Sequence, residues 1–341
     1  MTLPSLSRRV QLAHLPTPLW RHDALDRLAG TEVWVKRDDM TAGAAAGNKI
    51  RKLEFLLHDA VQQGASTVIT CGGVQSNHAR ATALLARELG LGTILYLRSA
   101  EPQPRLNGNV LLDLLAGAEI RWISPEQYRD RQRWMDEAAG MLALQGRRAY
   151  VIPEGGSSPL GALGYVAAMR EVAHQLETGL AGGGSFEAVA HACGSGGTAA
   201  GCVVGASEYG VADSVLAFAV CDDAAYFRSV IGDIVSGTVP LLARPTRLAT
   251  LTVCDEFTGP AYGVPSAEQA EFLCDVARQT GLVLDPVYSG KALFGLSRLA
   301  SKPSRVLFLH TGGLPGLLAQ SERIATYLER PGDYRFGGVA S

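Results

Sequence analysis

The stretch HACGSGGTAAG, residues 191–201, decides how the chain is read. The apolar run FEAVAHA (186–192) predicts a buried strand. Gly194, Ser195, Gly196, Gly197 and Thr198 then form a tight turn, and a helix begins after it. Backbone N–H groups in such a turn converge with the positive end of the helix dipole, which makes a pocket for an anion such as a phosphate. A plain strand–helix turn with no ligand is the simpler reading. The literal match to G-x-G-x-x-A also admits a dinucleotide-dependent oxidoreductase, with Asp222 on a ribose.

The same strand-then-helix rhythm extends in both directions. Upstream, VWVKR (33–37), TVITC (67–71), GTILYLR (92–98), EIRWI (119–123) and AYVIP (149–153) read as strands; downstream, so do SVLAFAV (214–220), LATLTVC (248–254) and RVLFLHT (305–311). Between them lie amphipathic stretches such as KIRKLEFLLHDAVQQG (49–64), where Ile50, Leu53, Leu57, Ala60 and Val61 recur at helical spacing. Strands apolar on both faces that alternate with helices imply parallel sheets covered on both sides. At 341 residues, this predicts an α/β protein of two lobes with a cleft between them. The Gly/Ser/Pro-rich segment PEGGSSPLGALG (153–164) reads as the joint, and ETGLAGGGSFE (177–187) as a surface loop. The polar last dozen residues read as a tail.

Composition removes several function classes. Thirty-one basic against 33 acidic residues give a net charge of −2, so the basic face of a nucleic-acid binder is not expected. The six cysteines are scattered with no CxxC pair, which argues against a zinc ribbon and a disulfide framework; no metal is expected, and the thiols suit a reducing cytoplasm. No secretory leader is recognisable at the start, and no apolar run approaches the roughly 18 residues of a spanning helix.

Two further segments carry chemistry-bearing residues. In AAAGNKIRKLEFL (44–56), Lys49 stands in the first turn of a helix, where a cation is electrostatically misplaced, with Arg51 and Lys52 close behind. A desolvated, cation-crowded amine has a lowered pKa, as a Schiff-base lysine requires. In TCGGVQSNHARATALLAREL (70–89), a strand ends in two glycines and Gln75, Ser76, Asn77 and His78 lead into a helix that Ser76 or Asn77 would cap. Such a loop can receive a carboxylate on free helix amides and the Ser76 hydroxyl. The loops AYGVP (261–265), LDPVYSGKA (284–292) and FLHTGGLPG (308–316) add Tyr262, Tyr288, Ser289 and Thr311.

Taken in order, LPTPL (15–19), KRDD (36–39), NKIRKLE (48–54), QSNHAR (75–80), NGNVLLD (107–113), GGSSPLGALGY (155–165), GSGGT (194–198), YGVP (262–265), LDPVYSGKA and HTGG (310–313) resemble one family over almost the whole chain. This is the fold type II, tryptophan-synthase-β-like family of pyridoxal 5'-phosphate enzymes, in the branch holding D-cysteine desulfhydrase, L-cysteate sulfo-lyase and 1-aminocyclopropane-1-carboxylate deaminase. The resemblance implies a larger cofactor-binding domain of residues 1–52 and 160–341, a smaller one of residues 53–159, and a homodimer. It implies Lys49 as the lysine joined to the cofactor, Gly194–Thr198 with Lys52 at its phosphate, and Asn77 at its phenolic oxygen. Ser76, Asn77 and His78 would meet the substrate carboxylate. Tyr262 and Tyr288 match the branch's two active-site tyrosines, and Ser289 or Thr311 would lie near the pyridine nitrogen.

The branch's deaminases carry Glu after the second tyrosine and Leu in the HxGG loop, whereas this chain has Ser289 and Thr311, as desulfhydrase-like members do. The resemblance therefore implies elimination from a β-substituted alanine, D-cysteine above all, giving pyruvate, ammonia and hydrogen sulfide. L-cysteate or the cyclopropane amino acid is the alternative substrate, and a non-catalytic amino-acid-binding protein is the alternative of another class. Three departures stand out: Ala46 in place of a second glycine before Asn-Lys, a short connection at 97–109, and the acidic segment CDDAAYF (221–227).

Overall fold

The computed structural model describes residues 4–242 and 247–328; the expected polar tail lies outside them. The described residues form ten strands: β1 (Leu19–Arg21), β2 (Glu32–Lys36), β3 (Thr67–Gly73), β4 (Gly92–Arg98), β5 (Glu119–Ile123), β6 (Ala149–Val151), β7 (Ala188–Cys193), β8 (Ser214–Ala219), β9 (Thr250–Cys254) and β10 (Arg305–Leu309). They build two sheets. The larger runs β1-β2-β10-β7-β8-β9 and the smaller β5-β4-β3-β6, all parallel except for β1 against β2. The short edge strand β1, absent from the sequence reading, is the antiparallel addition.

Strand interiors explain the layering. Along β7 and β8, Val189, Cys193, Val215 and Ala217 feed the core on one face of the larger sheet, while Ala190, Ala192, Leu216 and Phe218 feed the core on the other. A period of two with both faces apolar requires helices on both sides. The smaller sheet has its own cores, with Val68 meeting Leu53, Leu57 and Leu85 on one side and Ile69, Tyr96 and Met135 on the other.

One loop expectation needs correction. The joint at 153–164 is only half a loop: Ser158 caps the helix Pro159–Glu177 by accepting from Gly161 N at 3.1 Å, so residues 159–164 are helical. The expected division between residues 52 and 53 falls within the helix Lys49–Gln62. That helix turns Ile50, Leu53 and Leu57 under the smaller sheet. Its Lys52 reaches instead toward Gly155 and Ser157. The acidic 221–223 segment also has a structural use, since Asp223 caps the helix Ala224–Thr238 by accepting from Tyr226 N at 2.8 Å.

Candidate active site

The pocket opens beyond the carboxyl end of β7, where parallel α/β sheets bind ligands. Its floor is the turn Gly194–Gly196 at the start of the helix Gly197–Glu208. Facing this turn is the first turn of the helix Lys49–Gln62. Lys49 and Lys52 lie three residues apart, so the helix projects both amines toward the same side. Asn48 joins the two elements, its side-chain Nδ2 donating to Thr198 Oγ1 at 3.1 Å.

The two amines differ in setting. Burial pushes the Lys49 amine down to about 8; Cys193 and Asp285 pull it back toward the charged form, and Arg80 opposes them. Lys52 is fully buried and held well below the ordinary lysine range, by desolvation first and by Lys49 second. Its Nζ donates to Gly155 O at 3.1 Å and to Ser157 Oγ at 3.3 Å. Ser157 Oγ also accepts from Gly197 N at 3.1 Å and meets Ser195 Oγ at 2.8 Å. Gly197 is packed so closely that an added Cβ would lie 2.7 Å from Ser157 Oγ and 2.8 Å from Lys52 Nζ. A buried amine without a carboxylate, beside a glycine turn at a helix start, is the chemistry of a phosphate site.

Ser76 caps the helix Asn77–Glu88 by accepting from Ala79 N at 3.1 Å, which leaves its own hydroxyl proton free. The N–H groups of Asn77 and His78 have no intrahelical acceptor at this open end. Asn77 lines the pocket. The His78 side chain does not: it is buried, with Nε2 2.9 Å from Thr70 Oγ1, and desolvation holds it well below the ordinary histidine range. Only the His78 backbone remains near the helix opening.

Tyr288 and Tyr262 meet hydroxyl to hydroxyl, with rings edge-on at 6.2 Å, and Tyr288 is in the pocket wall. Desolvation holds the Tyr288 phenol well above its ordinary range, so it is a proton donor at neutral pH. Thr311 also lines the pocket. Ser289 does not. It is fully buried, and its Oγ donates to Asp285 Oδ1 at 2.6 Å. The same carboxylate accepts from the N–H groups of Val287, Tyr288 and Ser289. Ser289 therefore fastens the loop that presents Tyr288, and of the two expected hydroxyls only Thr311 faces the pocket.

Sequence reasoning assigned no role to Asn48, Ser157, His191 or Asp285. His191 lines the pocket and is pushed down to about 4 by burial; its Nδ1 donates to Ala192 O at 2.9 Å, so it is neutral. Its place in HACGSGG was visible, but strand direction alone does not show which face a histidine takes. Ala46, the departure before Asn-Lys, has its carbonyl held by Arg80 Nη2 at 2.8 Å, beside Ala44 O on Nη1 at 2.8 Å.

Two lobes of parallel sheet, two buried amines, a glycine turn at one helix start and the open start of a second helix define a fold type II pyridoxal-phosphate site. The chain belongs to the pyridoxal-phosphate-dependent enzyme family, whose profile matches residues 10–312. It is 44% identical over 319 residues to a putative 1-aminocyclopropane-1-carboxylate deaminase of Thermotoga maritima, covering 93% of this chain and 99% of the relative. It is 41% identical over 337 residues to the mitochondrial bifunctional D-cysteine desulfhydrase/1-aminocyclopropane-1-carboxylate deaminase of Arabidopsis thaliana, covering 95% and 83%. To the D-cysteine desulfhydrase of Yersinia pestis it is 37% identical, covering 93% and 97%. A crystal structure of an ACC deaminase homologue matches with a TM-score of 0.86 at 36% identity, covering 96% of this chain and 100% of that one. The cofactor is pyridoxal 5'-phosphate. The dinucleotide reading falls with this membership, and Asp222 is an exposed residue. No helix among the described residues is long and apolar enough to cross a membrane.

The Gly197 contact makes a prediction. Gly197→Ala should raise the dissociation constant for pyridoxal phosphate about tenfold or more, because the methyl group displaces Lys52 Nζ or Ser157 from the phosphate turn. Equilibrium dialysis of the resolved protein checks this, and an unchanged constant contradicts it.

Proposed function

We propose that the protein eliminates the β-substituent of a β-substituted alanine, with D-cysteine as substrate, in a cytoplasmic homodimer. The observation that carries this reading is Thr311, which lines the pocket with a neutral hydroxyl. A neutral group at the pyridine nitrogen gives a weaker electron sink than a carboxylate would. Expulsion of a good β-leaving group needs that sink less than the opening of a cyclopropane does.

The residues present fit the cofactor. Lys49 would hold its aldehyde carbon, the Gly194–Thr198 turn with Lys52 its phosphate, Asn77 its phenolic oxygen and Thr311 its ring nitrogen. When bound, the cofactor supplies the electron sink for the pair left by the broken Cα–H bond. The chain's residues do the rest. Ser76 and the open amides of Asn77 and His78 orient the substrate carboxylate. The Lys49 amine, whose neutral form desolvation makes easier to reach, takes the α proton. Tyr288, partnered by Tyr262, hands a proton to the departing sulfur. D-cysteine and one water thus yield pyruvate, ammonia and hydrogen sulfide.

The name of the Thermotoga relative favours a second reading, opening of the cyclopropane ring, and the name of the Arabidopsis relative carries both activities. Side-by-side turnover separates the two. The holoenzyme should release pyruvate and sulfide from D-cysteine with a kcat/KM at least about tenfold above that for α-ketobutyrate from 1-aminocyclopropane-1-carboxylate, a difference of ~1.4 kcal/mol in transition-state binding. The reverse order would overturn the role given to Thr311, and L-cysteate and D-serine as parallel substrates would show whether the leaving group decides.

A further inference from the structure

The NGNVLLD motif places Asn109 in the first turn of the helix Gly108–Leu115, fully buried against the loop that carries Asn77. Asn109 Nδ2 donates to the backbone Gln75 O at 2.9 Å and to Asn77 Oδ1 at 3.0 Å. A carbonyl oxygen can only accept, so the Asn109 atom bonded to Gln75 O must be its NH2 group. The Asn77 atom on that same NH2 group must then be the oxygen. The chain of assignments closes on the other side as well. Asn109 N donates to Gln75 Oε1 at 2.8 Å, and Gln75 Nε2 donates to Asn107 O at 3.1 Å. Backbone groups at both ends thus determine which way all three amides point.

Two observations set this contact apart from ordinary packing. Asn109 Oδ1 is buried without a hydrogen-bond partner, so the amide is useful here only through its NH2 group. Gly108 makes the approach possible: its φ is +53°, and an added Cβ would fall 2.5 Å from Gln75 Oε1 and 2.7 Å from Pro315 O. With the Asn77 oxygen engaged, its NH2 group is the half left to face the pocket that Asn77 lines.

We propose that Asn109 is a positioning residue that locks the Asn77 amide with its NH2 group toward the phenolic oxygen of the cofactor. This rests on the reading that Asn77 meets that oxygen, and the test separates the two. Asn109→Asp keeps the shape but replaces the donor with oxygen, which turns the Asn77 amide over. In the holoenzyme, Asn77→Ala and Asn109→Asp should each move the pH midpoint of the visible absorption band by about one unit and weaken cofactor binding about tenfold, the loss of one hydrogen bond to a charged group. The double variant should shift no further than Asn77→Ala alone, because the two residues act through one contact. Asn109→Ala, which removes the donor without adding an acid, should move the midpoint in the same direction if the aspartate variant fails to fold. A midpoint that responds to Asn77→Ala but to neither Asn109 variant overturns the proposal, as do shifts that add. A midpoint indifferent to Asn77→Ala overturns the underlying reading with it.

Discussion

Lys49→Ala abolishes turnover, with kcat expected to fall at least about 10⁴-fold, because one amine serves both as the cofactor's anchor and as the base at the α carbon. The variant protein is expected to be colourless after removal of free cofactor, whereas the parent should be yellow and should be bleached by borohydride. Reduction followed by peptide mass analysis should find the pyridoxyl group on residue 49. The setting of Lys49 adds a pH dependence. Its amine titrates near 8 because desolvation disfavours the charged form, so the neutral nucleophile becomes abundant about two units below an ordinary lysine. Uptake of pyridoxal phosphate by cofactor-free protein should accelerate as pH rises toward 8 and level off above it. A rate still climbing steeply toward pH 10, or a pyridoxyl group on Lys52, would overturn the assignment.

Arg51→Met is expected to destabilise the fold by about 3–5 kcal/mol, the range for removing one partner of a buried ion pair. Arg51 follows Lys49 by two positions, so it points away from the pocket, into the body of the protein. Its guanidinium bonds Asp38 at 2.7 and 2.9 Å and Glu171 at 2.9 Å, with its side chain 1% exposed. Asp38 also accepts from Tyr165 at 2.6 Å and Thr17 at 2.9 Å, and Lys36 pairs with Glu171. Removing the guanidinium leaves Asp38 charged, buried and short of its main counter-charge. The pH dependence follows from the direction of its shift. Arg51 holds the Asp38 carboxyl below its ordinary value against the pull of burial. Its stabilisation is therefore present above the ordinary aspartate range near ~3.9 and is lost as pH falls through the lower, folded value. In Arg51→Met the folded value rises, so the acid-unfolding midpoint should move to higher pH. Urea melts at pH 7 and pH 4 check both statements; a loss below about 1 kcal/mol at pH 7 would show that the network is not stabilising the Lys49 helix.

Much of the site was legible because its signals are local. Lys49 stood out as a cation at the wrong end of a helix, and GSGGT as glycines between a strand and a helix; both features depend only on near neighbours in sequence. Ser289, expected with Thr311 near the pyridine nitrogen, has its hydroxyl engaged by its neighbour Asp285, and a motif does not show which of two polar groups a side chain will satisfy. The His78 side chain turns to Thr70 and the core, since a residue in the first turn of a helix can face either the ligand or the core, and its backbone N–H is what remains at the helix opening. Asn109, Ser157 and Asp285 lie in motifs that carried the resemblance, but no role was read for them, since a motif does not show which backbone or side-chain groups each will bond.

The aldehyde cofactor was read from the family resemblance; what the sequence by itself determined was the class of architecture, with alternating buried strands and helices, two lobes, and a glycine turn suited to an anion. These follow from residue periodicity and intrinsic backbone preference, which act over a few residues. What only the tertiary structure decided was orientation. Whether a hydroxyl, an imidazole or an amide faces the pocket depends on which distant carbonyl or carboxylate captures its other end, and that is settled when helices and loops from both sheets close around one cleft.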